Sequence, residues 1–396
     1  MISHSKRAKF ELAEVLKLYG SEFRSRYPIS CQQEKTLQAI EACRTNKLGG
    51  HVDGCANCGH VRISYNSCRN RHCPKCQNTH REKWILARRE ELLDVPCFHV
   101  VFTIPEPLNG YCLALPGQMY DILFRASRDT LFALGKDVKH LEADMGCISI
   151  LHTWGQNLML HPHIHMIVPA GGVDKKGRWK ATRSNGNFLF PVKAMSIVFK
   201  HKFMEQFIQL CQDRKICLNM RMKQSLYGQN WVVYAKQPFA GPDQVIEYLG
   251  RYSHKIAMSN HRIQSITEGV IQFQYKDYRM GGKRATMSLQ ANEFLRRFCM
   301  HILPPGFMKI RHYGILSNRN KIKIRKIQLI RGIFPRQKNK MSYQEFCKTI
   351  FQFDPDQCPC CKTGRMITLL HFAAHAPPID LIGLKDKLQT LISQMS

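Results

Sequence analysis

Cysteines are concentrated in one short stretch of this chain. Of the 17 cysteines in 396 residues, five fall between Cys55 and Cys76. Cys55-Ala-Asn-Cys58 and Cys73-Pro-Lys-Cys76 are separated by fourteen residues. The N-terminus lacks the apolar block of a signal peptide, so we expect a cytosolic protein, in a compartment where thiols are kept reduced. Clustered cysteines in a reducing compartment indicate a metal site rather than disulfides.

Two C-x-x-C knuckles at this spacing form a zinc-ribbon pattern, because each knuckle turns two thiolates toward one point. Four thiolates fill a tetrahedral zinc site and leave no position for water, which is typical of a structural site. We therefore predict one structural zinc ion held by Cys55, Cys58, Cys73 and Cys76.

Further cysteines and histidines lie near these knuckles and exceed what one zinc ion can use. They leave a second zinc site open, with Cys43, His51, Cys68 and His72 as its candidate ligands. Near the C-terminus, a small Cys/His site could be formed by Cys358, Cys360, Cys361, His371 and His375. Non-coordinating residues are the alternative interpretation of that C-terminal group.

The charge balance indicates a polyanionic partner. The chain carries 59 Lys and Arg against 29 Asp and Glu, a formal net charge of +30. Such a surface repels itself unless nucleic acid or an anionic membrane is the partner. No run approaches the ~18 apolar residues that a membrane-spanning helix needs, so membrane insertion is excluded.

Much of the excess charge lies near the C-terminus. Between Phe294 and Gln344 there is no acidic residue, while thirteen Lys and Arg occur there. The run from Asn318 to Lys326 alternates basic and apolar residues, which predicts a strand or arm laid along phosphates. The candidate DNA-binding residues in this run are Lys321, Lys323, Arg325 and Lys326.

Hydrophobic spacing predicts helices mixed with strands. The first forty residues and segments 79–93, 119–134, 195–211, 242–252 and 291–301 have helical character. Segments 98–104, 148–153, 163–168, 231–235, 270–275 and 284–289 are predicted strands. Because these elements lack regular βαβ alternation, we expect an α+β fold. The predicted divisions are a helical and zinc-binding N-terminal region (1–93), a sheet domain (94–305) and a basic C-terminal region (306–396).

Two histidines alternate along one predicted strand. In the run Leu160-His-Pro-His-Ile-His-Met-Ile-Val168, His163 and His165 lie on the same face, since strand side chains alternate. Two imidazoles so placed can bind a metal ion if a third group closes the site. Oxygen ligands beside them would suit magnesium or manganese in a phosphoryl-transfer site. Surface or hydrogen-bonded histidines are the alternative.

Two tyrosines lie four residues apart in a predicted helix. Tyr248 and Tyr252 therefore share one helical face. Arg251, His254 and Lys255 surround the pair with positive charge, which favours phenolate over phenol. A tyrosine so activated can act as a covalent nucleophile. A packing pair is the alternative interpretation.

Taken together, these motifs resemble the rolling-circle HUH transposases of bacterial insertion sequences, the two-tyrosine type exemplified by the insertion-sequence-91 family. The matching motifs include Gly49-Gly-His51, Cys55-x-x-Cys58-Gly, Ser67 to Gln77, Phe98 to Ile104, His152-Thr-Trp-Gly-Gln156, His161-Pro-His-Ile-His165 and Tyr248-Leu-Gly-Arg-Tyr252. The resemblance runs in order from about residue 30 to 365.

The resemblance implies an HUH endonuclease domain, a central antiparallel sheet with flanking helices, preceded by a small zinc-ribbon-like domain. It implies that His163 and His165 hold Mg²⁺ or Mn²⁺, with Gln156 as third ligand and His152 or His161 as alternatives. Tyr248 and Tyr252 would be the nucleophiles, although one tyrosine suffices in one-tyrosine relatives.

The implied reaction is cleavage and rejoining of single-stranded DNA at element ends through 5′-phosphotyrosine links. The zinc-binding domain and the basic C-terminal region would then grip the terminal DNA. Two alternatives are a plasmid rolling-circle replication initiator or relaxase, and a zinc-dependent DNA-binding protein whose nuclease centre is idle.

Overall fold

The computed structural model describes residues 8–89, 93, 95–239, 244–245, 250, 255–277, 280–330, 332 and 341–376. The helices are α1 (Leu12–Arg26), α2 (Cys31–Ala42), α3 (Gln77–Arg89), α4 (Asn109–Ala114), α5 (Pro116–Lys136), α6 (Arg183–Gly186), α7 (Val192–Asp213), α8 (Met220–Gly228), α9 (Ala291–Cys299), α10 (Lys321–Ile330) and α11 (Tyr343–Phe351). The strands are β1 (Gly50–Cys55), β2 (Val61–Tyr65), β3 (Cys97–Thr103), β4 (Gly146–Trp154), β5 (Leu160–Pro169), β6 (Gly171–Val173), β7 (Trp179–Ala181), β8 (Val233–Phe239), β9 (Ile263–Thr267), β10 (Val270–Asp277), β11 (Lys283–Gln290), β12 (Ile310–Gly314) and β13 (Met366–Phe372).

A five-stranded antiparallel sheet forms the centre of the molecule, in the order β12-β4-β5-β3-β8. One face packs against α5 and α7, whose buried side chains include Phe124 and Phe199. Phe102 of β3 and Ile164 and Met166 of β5 point into that core and are fully buried. The opposite face therefore carries the odd-numbered residues of β5.

That opposite face is partly covered by the basic helix α10. Ile324 and Ile327 of α10 are buried in one cluster with Ile148, Ile150 and Ile167 of the sheet. The prediction of a strand or arm over 318–326 is wrong, because these isoleucines bury at helical spacing of three residues. The alternation of basic and apolar residues is compatible with either periodicity, and burial against the sheet decides between them.

The other described sheets are two of three strands each and a two-stranded pair of β6 with β7. Strands β11-β10-β9 form one sheet, which packs with α1 and α9 in a second apolar cluster. The other has the order β13-β1-β2, so a strand near the C-terminus pairs with one near the N-terminus. The predicted α+β class is confirmed by this mixture of helices and antiparallel sheets.

Strands from the predicted C-terminal region pair with strands of the other two predicted regions. From the predicted C-terminal region (306–396), β12 joins the central sheet and β13 joins the N-terminal sheet. The domain boundaries stay predictions.

Of the predicted helix over 242–252, Gln244, Val245 and Gly250 are described and helical, and the rest lies outside the described residues. Within the described residues, no helix is long and apolar enough to span a bilayer.

Substitution of Gly314, the last residue of β12, tests how tightly β12 packs against β4. Gly314 has φ +58°, and an added Cβ would collide with the Met145 carbonyl oxygen and lie 2.8 Å from Phe132. Gly306 has φ +69° with open space around its Cβ position. We expect Gly314→Ala to lower the free energy of unfolding by about 3 kcal/mol and Gly306→Ala by about 1 kcal/mol. Urea unfolding measures both losses, and equal losses would contradict the tight packing of β12 on β4.

Candidate metal centre and neighbouring cationic residues

Three histidines meet on the face of the central sheet that is opposite α5 and α7. In the register of β4 with β5, His152 lies directly opposite His163. His165 shares that face because it lies two residues further along β5. One nitrogen from each of the three imidazoles can be chosen so that all lie within 4.8 Å of one another. The local sequence therefore builds a three-histidine group from two neighbouring strands.

Hydrogen bonds orient the ligand nitrogens. His163 Nδ1 lies 2.6 Å from the His161 carbonyl oxygen, so Nδ1–H donates and the Nε2 lone pair is left for a ligand. His165 Nδ1 lies 2.8 Å from His99 Nε2 on β3, and a proton on His165 Nδ1 likewise leaves its Nε2 lone pair. The two Nε2 atoms are 3.1 Å apart.

This donor set fits a small divalent ion. In an octahedral site with ligand distances of about 2.1 Å, neighbouring ligand atoms lie about 3 Å apart. The separation between His163 Nε2 and His165 Nε2 matches that value. Burial lowers the pKa of His163 to about 3 and that of His99 to about 4, and it lowers the pKa of His165 well below its usual value. His163, His165 and the neighbouring His99 are therefore neutral near pH 7, and neutral imidazole is the form that binds metal.

The two other predicted ligands lie in or beside the β4–β5 connection. His161 is exposed, and its carbonyl orients His163. Gln156 lies between β4 and β5, and its backbone carbonyl accepts a hydrogen bond from Arg262. The side chain of Gln156 stays a predicted ligand, whereas His152 is the histidine grouped with the pair on β5.

Cationic side chains neighbour the histidines. The ring of Trp154 stacks on His152 with centroids 4.7 Å apart, and Lys309 Nζ lies 5.0 Å from the Trp154 ring centroid. Lys309 Nζ also donates to the Lys255 carbonyl oxygen at 2.7 Å. Burial, and then the nearby positive charges of Arg71 and Lys255, lower the pKa of Lys309 to about 7. A phosphate group bound beside Lys309 would favour its protonated form, so Lys309 and Arg71 can together bind a phosphate at this centre.

Sequence reasoning missed three of these residues. His99 is a polar residue within the apolar run Phe98 to Ile104, and that contrast is a signal for it. Lys309 lies in the acid-free stretch but outside its most basic run. Arg71 lies between cysteines of the zinc pattern, and its guanidinium donates to the Pro304 carbonyl oxygen at 2.8 Å.

The predicted tyrosine pair lies outside the described residues, as do Arg251 and His254. The described residues on either side of it are near the histidine face. Val245 is fully buried in one cluster with Ile150 and Ile167. The carbonyl oxygen of Lys255 accepts a hydrogen bond from Lys309 Nζ at 2.7 Å, and the charge of Lys255 contributes to lowering the pKa values of His163 and His165. The predicted DNA-binding residues Lys321, Lys323, Arg325 and Lys326 are exposed on α10.

The cysteines form two separate groups. The first contains Cys43, Cys68, Cys73 and Cys76, and the second contains Cys55, Cys58, Cys358 and Cys361. The prediction that Cys55 and Cys58 share one zinc with Cys73 and Cys76 is therefore corrected. The turn after β1 carries the first knuckle to the segment before β13, and the second knuckle packs with the end of α2.

The four residues predicted to bind a second zinc ion do not stay together in the structure. Cys43 and Cys68 belong to the group of the second knuckle. His51 and His72 belong to neither group. His51 Nε2 lies 3.5 Å from Asp53 Oδ2, and His72 Nε2 accepts a hydrogen bond from the Leu303 N–H at 3.3 Å. His371 and His375 are likewise outside both groups.

Sulfur spacing in the first group fits zinc. Cys76 Sγ lies 3.6 Å from Cys43 Sγ and 3.7 Å from Cys68 Sγ. Four sulfurs at about 2.3 Å from a tetrahedral zinc ion lie about 3.8 Å from one another. The cysteines that meet here thus satisfy the geometry of a closed structural site.

The third histidine can be tested by substitution. We expect His152→Ala to weaken Mn²⁺ binding by more than tenfold, since it removes one imidazole of the group. His161→Ala is the matched control and should change the affinity by less than about twofold, because its backbone carbonyl remains to orient His163. Calorimetric titration of the zinc-loaded protein with Mn²⁺ measures both. The reverse order of effects would identify His161 as the ligand.

Two family models match parts of the chain. A family model described as "Putative transposase" matches residues 146–323, and one described as "Transposase zinc-binding domain" matches residues 15–104. The chain is 40% identical over 378 residues to "Putative transposase y4qJ" of Sinorhizobium fredii (strain NBRC 101917 / NGR234), covering 91% of this chain and 94% of that relative. No solved structure matches it.

A second relative is named for the element that it serves. The chain is 29% identical over 353 residues to "Transposase for insertion sequence element IS801" of Pseudomonas savastanoi pv. phaseolicola, covering 84% of this chain and 83% of that relative. Each sheet described above contains strands from the matched regions. With its zinc-binding domain at the N-terminus, the chain belongs to the insertion-sequence-91 family of transposases.

Proposed function

We propose that this transposase cleaves and rejoins single-stranded DNA at element ends through 5′-phosphotyrosine intermediates, in rolling-circle-like transposition. The observation that carries the proposal is the group of His152, His163 and His165 on one face of the central sheet. The neutral imidazoles of His163 and His165, each oriented by a hydrogen bond, lie beside buried cationic side chains, and this combination suits a phosphodiester as substrate.

His163 and His165 would hold Mg²⁺ or Mn²⁺, with His152 or Gln156 as the third ligand. When bound, such an ion polarises a phosphate oxygen and favours attack at phosphorus. The chain's own contribution is orientation. The His161 carbonyl and the His99 imidazole fix the rotation of His163 and His165, so that both Nε2 atoms face the same point.

Tyr248 and Tyr252 are the proposed nucleophiles. The phenol oxygen forms a bond to the scissile phosphorus and releases its proton, while the bond from phosphorus to the 3′ oxygen breaks and that oxygen takes a proton. The phosphotyrosine link retains the energy of the broken bond, so a 3′-OH can later reverse the step and join strands. Burial of Val245 on the histidine face and the proximity of Lys255 to the histidines support this assignment.

Positive side chains would hold the phosphate backbone in line. Lys309, stacked over Trp154 and hydrogen-bonded to the Lys255 carbonyl, is fixed at the edge of the histidine group. Arg71 reaches the same region from the zinc-binding domain. A zinc ion held by the group of Cys43 and Cys76 would therefore orient a cation for DNA as well as stabilise the domain.

Tyrosine chemistry is tested directly by a covalent protein–DNA adduct. With single-stranded oligonucleotides from the element ends and Mn²⁺, we expect the wild-type protein to form an adduct stable to denaturing electrophoresis. The double variant Tyr248→Phe, Tyr252→Phe should form none, because it lacks both phenol oxygens.

Tyr234→Phe is the control for that experiment. Tyr234 is exposed and lies opposite Val101, on the same sheet face as His165. We expect this variant to retain the adduct. An adduct that survives in the double variant and disappears in Tyr234→Phe would identify Tyr234 of β8 as the nucleophile.

The cation beside the histidines is tested by Lys309→Met, which keeps the length of the side chain and removes its charge. Loss of a preorganised charge at the phosphate should slow cleavage about 100-fold at saturating DNA. Lys180→Met is the control, because Lys180 is an exposed residue of β7 that pairs with Glu142. An unchanged rate in Lys309→Met, measured by single-turnover cleavage, would remove Lys309 from the proposed site.

A further inference from the structure

Cysteines from distant parts of the chain converge at one end of the sheet β13-β1-β2. Cys55 ends β1 and Cys58 follows in the next turn, whereas Cys358 and Cys361 precede β13. Cys55 Sγ lies 3.7 Å from Cys361 Sγ, and Cys58 Sγ lies 3.7 Å from Cys358 Sγ. All four sulfurs lie within 4.8 Å of one another.

These distances fit a metal ion better than a disulfide. Sulfurs bound tetrahedrally to zinc at about 2.3 Å lie about 3.8 Å apart, whereas the sulfurs of a disulfide lie about 2.05 Å apart. The measured separations of 3.7 Å between Cys55 and Cys361 and between Cys58 and Cys358 correspond to the zinc value.

Backbone N–H groups point at the sulfurs of both knuckles. The N–H groups of Asn57 and Cys58 lie 3.4 and 3.5 Å from Cys55 Sγ. In the second knuckle, the Cys360 N–H lies 3.4 Å from Cys358 Sγ, and the Gly364 N–H lies 3.2 Å from Cys361 Sγ. Such donors stabilise thiolates, which are the form that binds metal.

Gly364 lets the two knuckles approach each other. A Cβ at this position would lie 2.5 Å from Cys55 Sγ and 3.2 Å from Cys361 Sγ. A side chain there would therefore push the first knuckle away from the second. Because residue 364 has no side chain, the sulfurs of the two knuckles can approach each other this closely.

The strands beside the cysteines are joined by a buried carboxylate. Asp53 of β1 accepts hydrogen bonds from Arg62 of β2 and from Thr368 of β13, each at 2.9 Å. Asp53 is 4% exposed, so these contacts fix the three strands in register next to the sulfurs. The four cysteines are thus presented by a packed, hydrogen-bonded frame.

We propose that Cys55, Cys58, Cys358 and Cys361 bind a structural zinc ion of their own, which fastens the segment before β13 to the N-terminal zinc-binding domain. Cys358 and Cys361 lie beyond residues 15–104 and 146–323, the regions that the family models match. The ion therefore closes a loop of about 300 residues, since Cys58 and Cys358 are 300 positions apart. The site does not depend on the proposed DNA chemistry.

The zinc content of the full chain tests this site. We expect two zinc ions per wild-type chain, measured by mass spectrometry of metals after exhaustive dialysis, and one in the double variant Cys358→Ser, Cys361→Ser. The matched control is Cys360→Ser, an exposed cysteine of the same segment that belongs to neither group, and it should keep two. A double variant that holds as many zinc ions as the wild type would overturn the proposal, as would iron in place of zinc.

A measurement on the wild-type chain decides the matter if the double variant does not fold. Replacement of zinc by Co²⁺ should give two equivalents of tetrahedral cobalt, each with the intense sulfur-to-metal charge-transfer absorption of four thiolates. Because the three histidines can also take up Co²⁺ without this absorption, its intensity per chain decides, and an intensity corresponding to a single four-thiolate site would contradict the proposal. If the wild-type chain holds both zinc ions but forms no protein–DNA adduct, the proposed nuclease activity is rejected and this zinc site is not affected.

Discussion

The antiparallel pairing of β4 with β5 is the contact on which the candidate centre depends. It sets His152 opposite His163 and leaves His165 on the same face. A slip of one residue would turn the histidines of β5 into the core that α5 and α7 cover. Ile164 and Met166 are fully buried in that core, so apolar packing on one face fixes the position of the imidazoles on the other.

Burial sets the protonation state of the side chains at this centre. His163 and His165 stay neutral because burial penalises their protonation, and the charges of Lys255 and Lys309 lower the pKa of His165 further. A protein with a formal net charge of +30 thus uses its cations in two ways. Some are partly desolvated beside the histidines, and others, such as Lys323 and Arg325, are exposed on α10.

Some local patterns in the sequence predicted the local structure, and others did not. The alternation of His163 and His165 follows from strand geometry alone, and the strand is present as β5. Contacts between distant segments were not predictable in the same way. Two C-x-x-C knuckles fourteen residues apart look like partners, yet each completes a different group, and Cys358 and Cys361 come from the far end of the chain. The alternating basic run became α10 because burial of Ile324 and Ile327 outweighs the two-residue pattern.

We propose that the histidine face and the segment carrying Tyr248 and Tyr252 act as one nuclease centre. Peptide mapping of the protein–DNA adduct by mass spectrometry tests it most directly, because trypsin separates the two tyrosines into peptides 237–251 and 252–255. We expect a nucleotide linked through phosphate to a tyrosine in one of these two peptides. A nucleotide attached to any other peptide would contradict it.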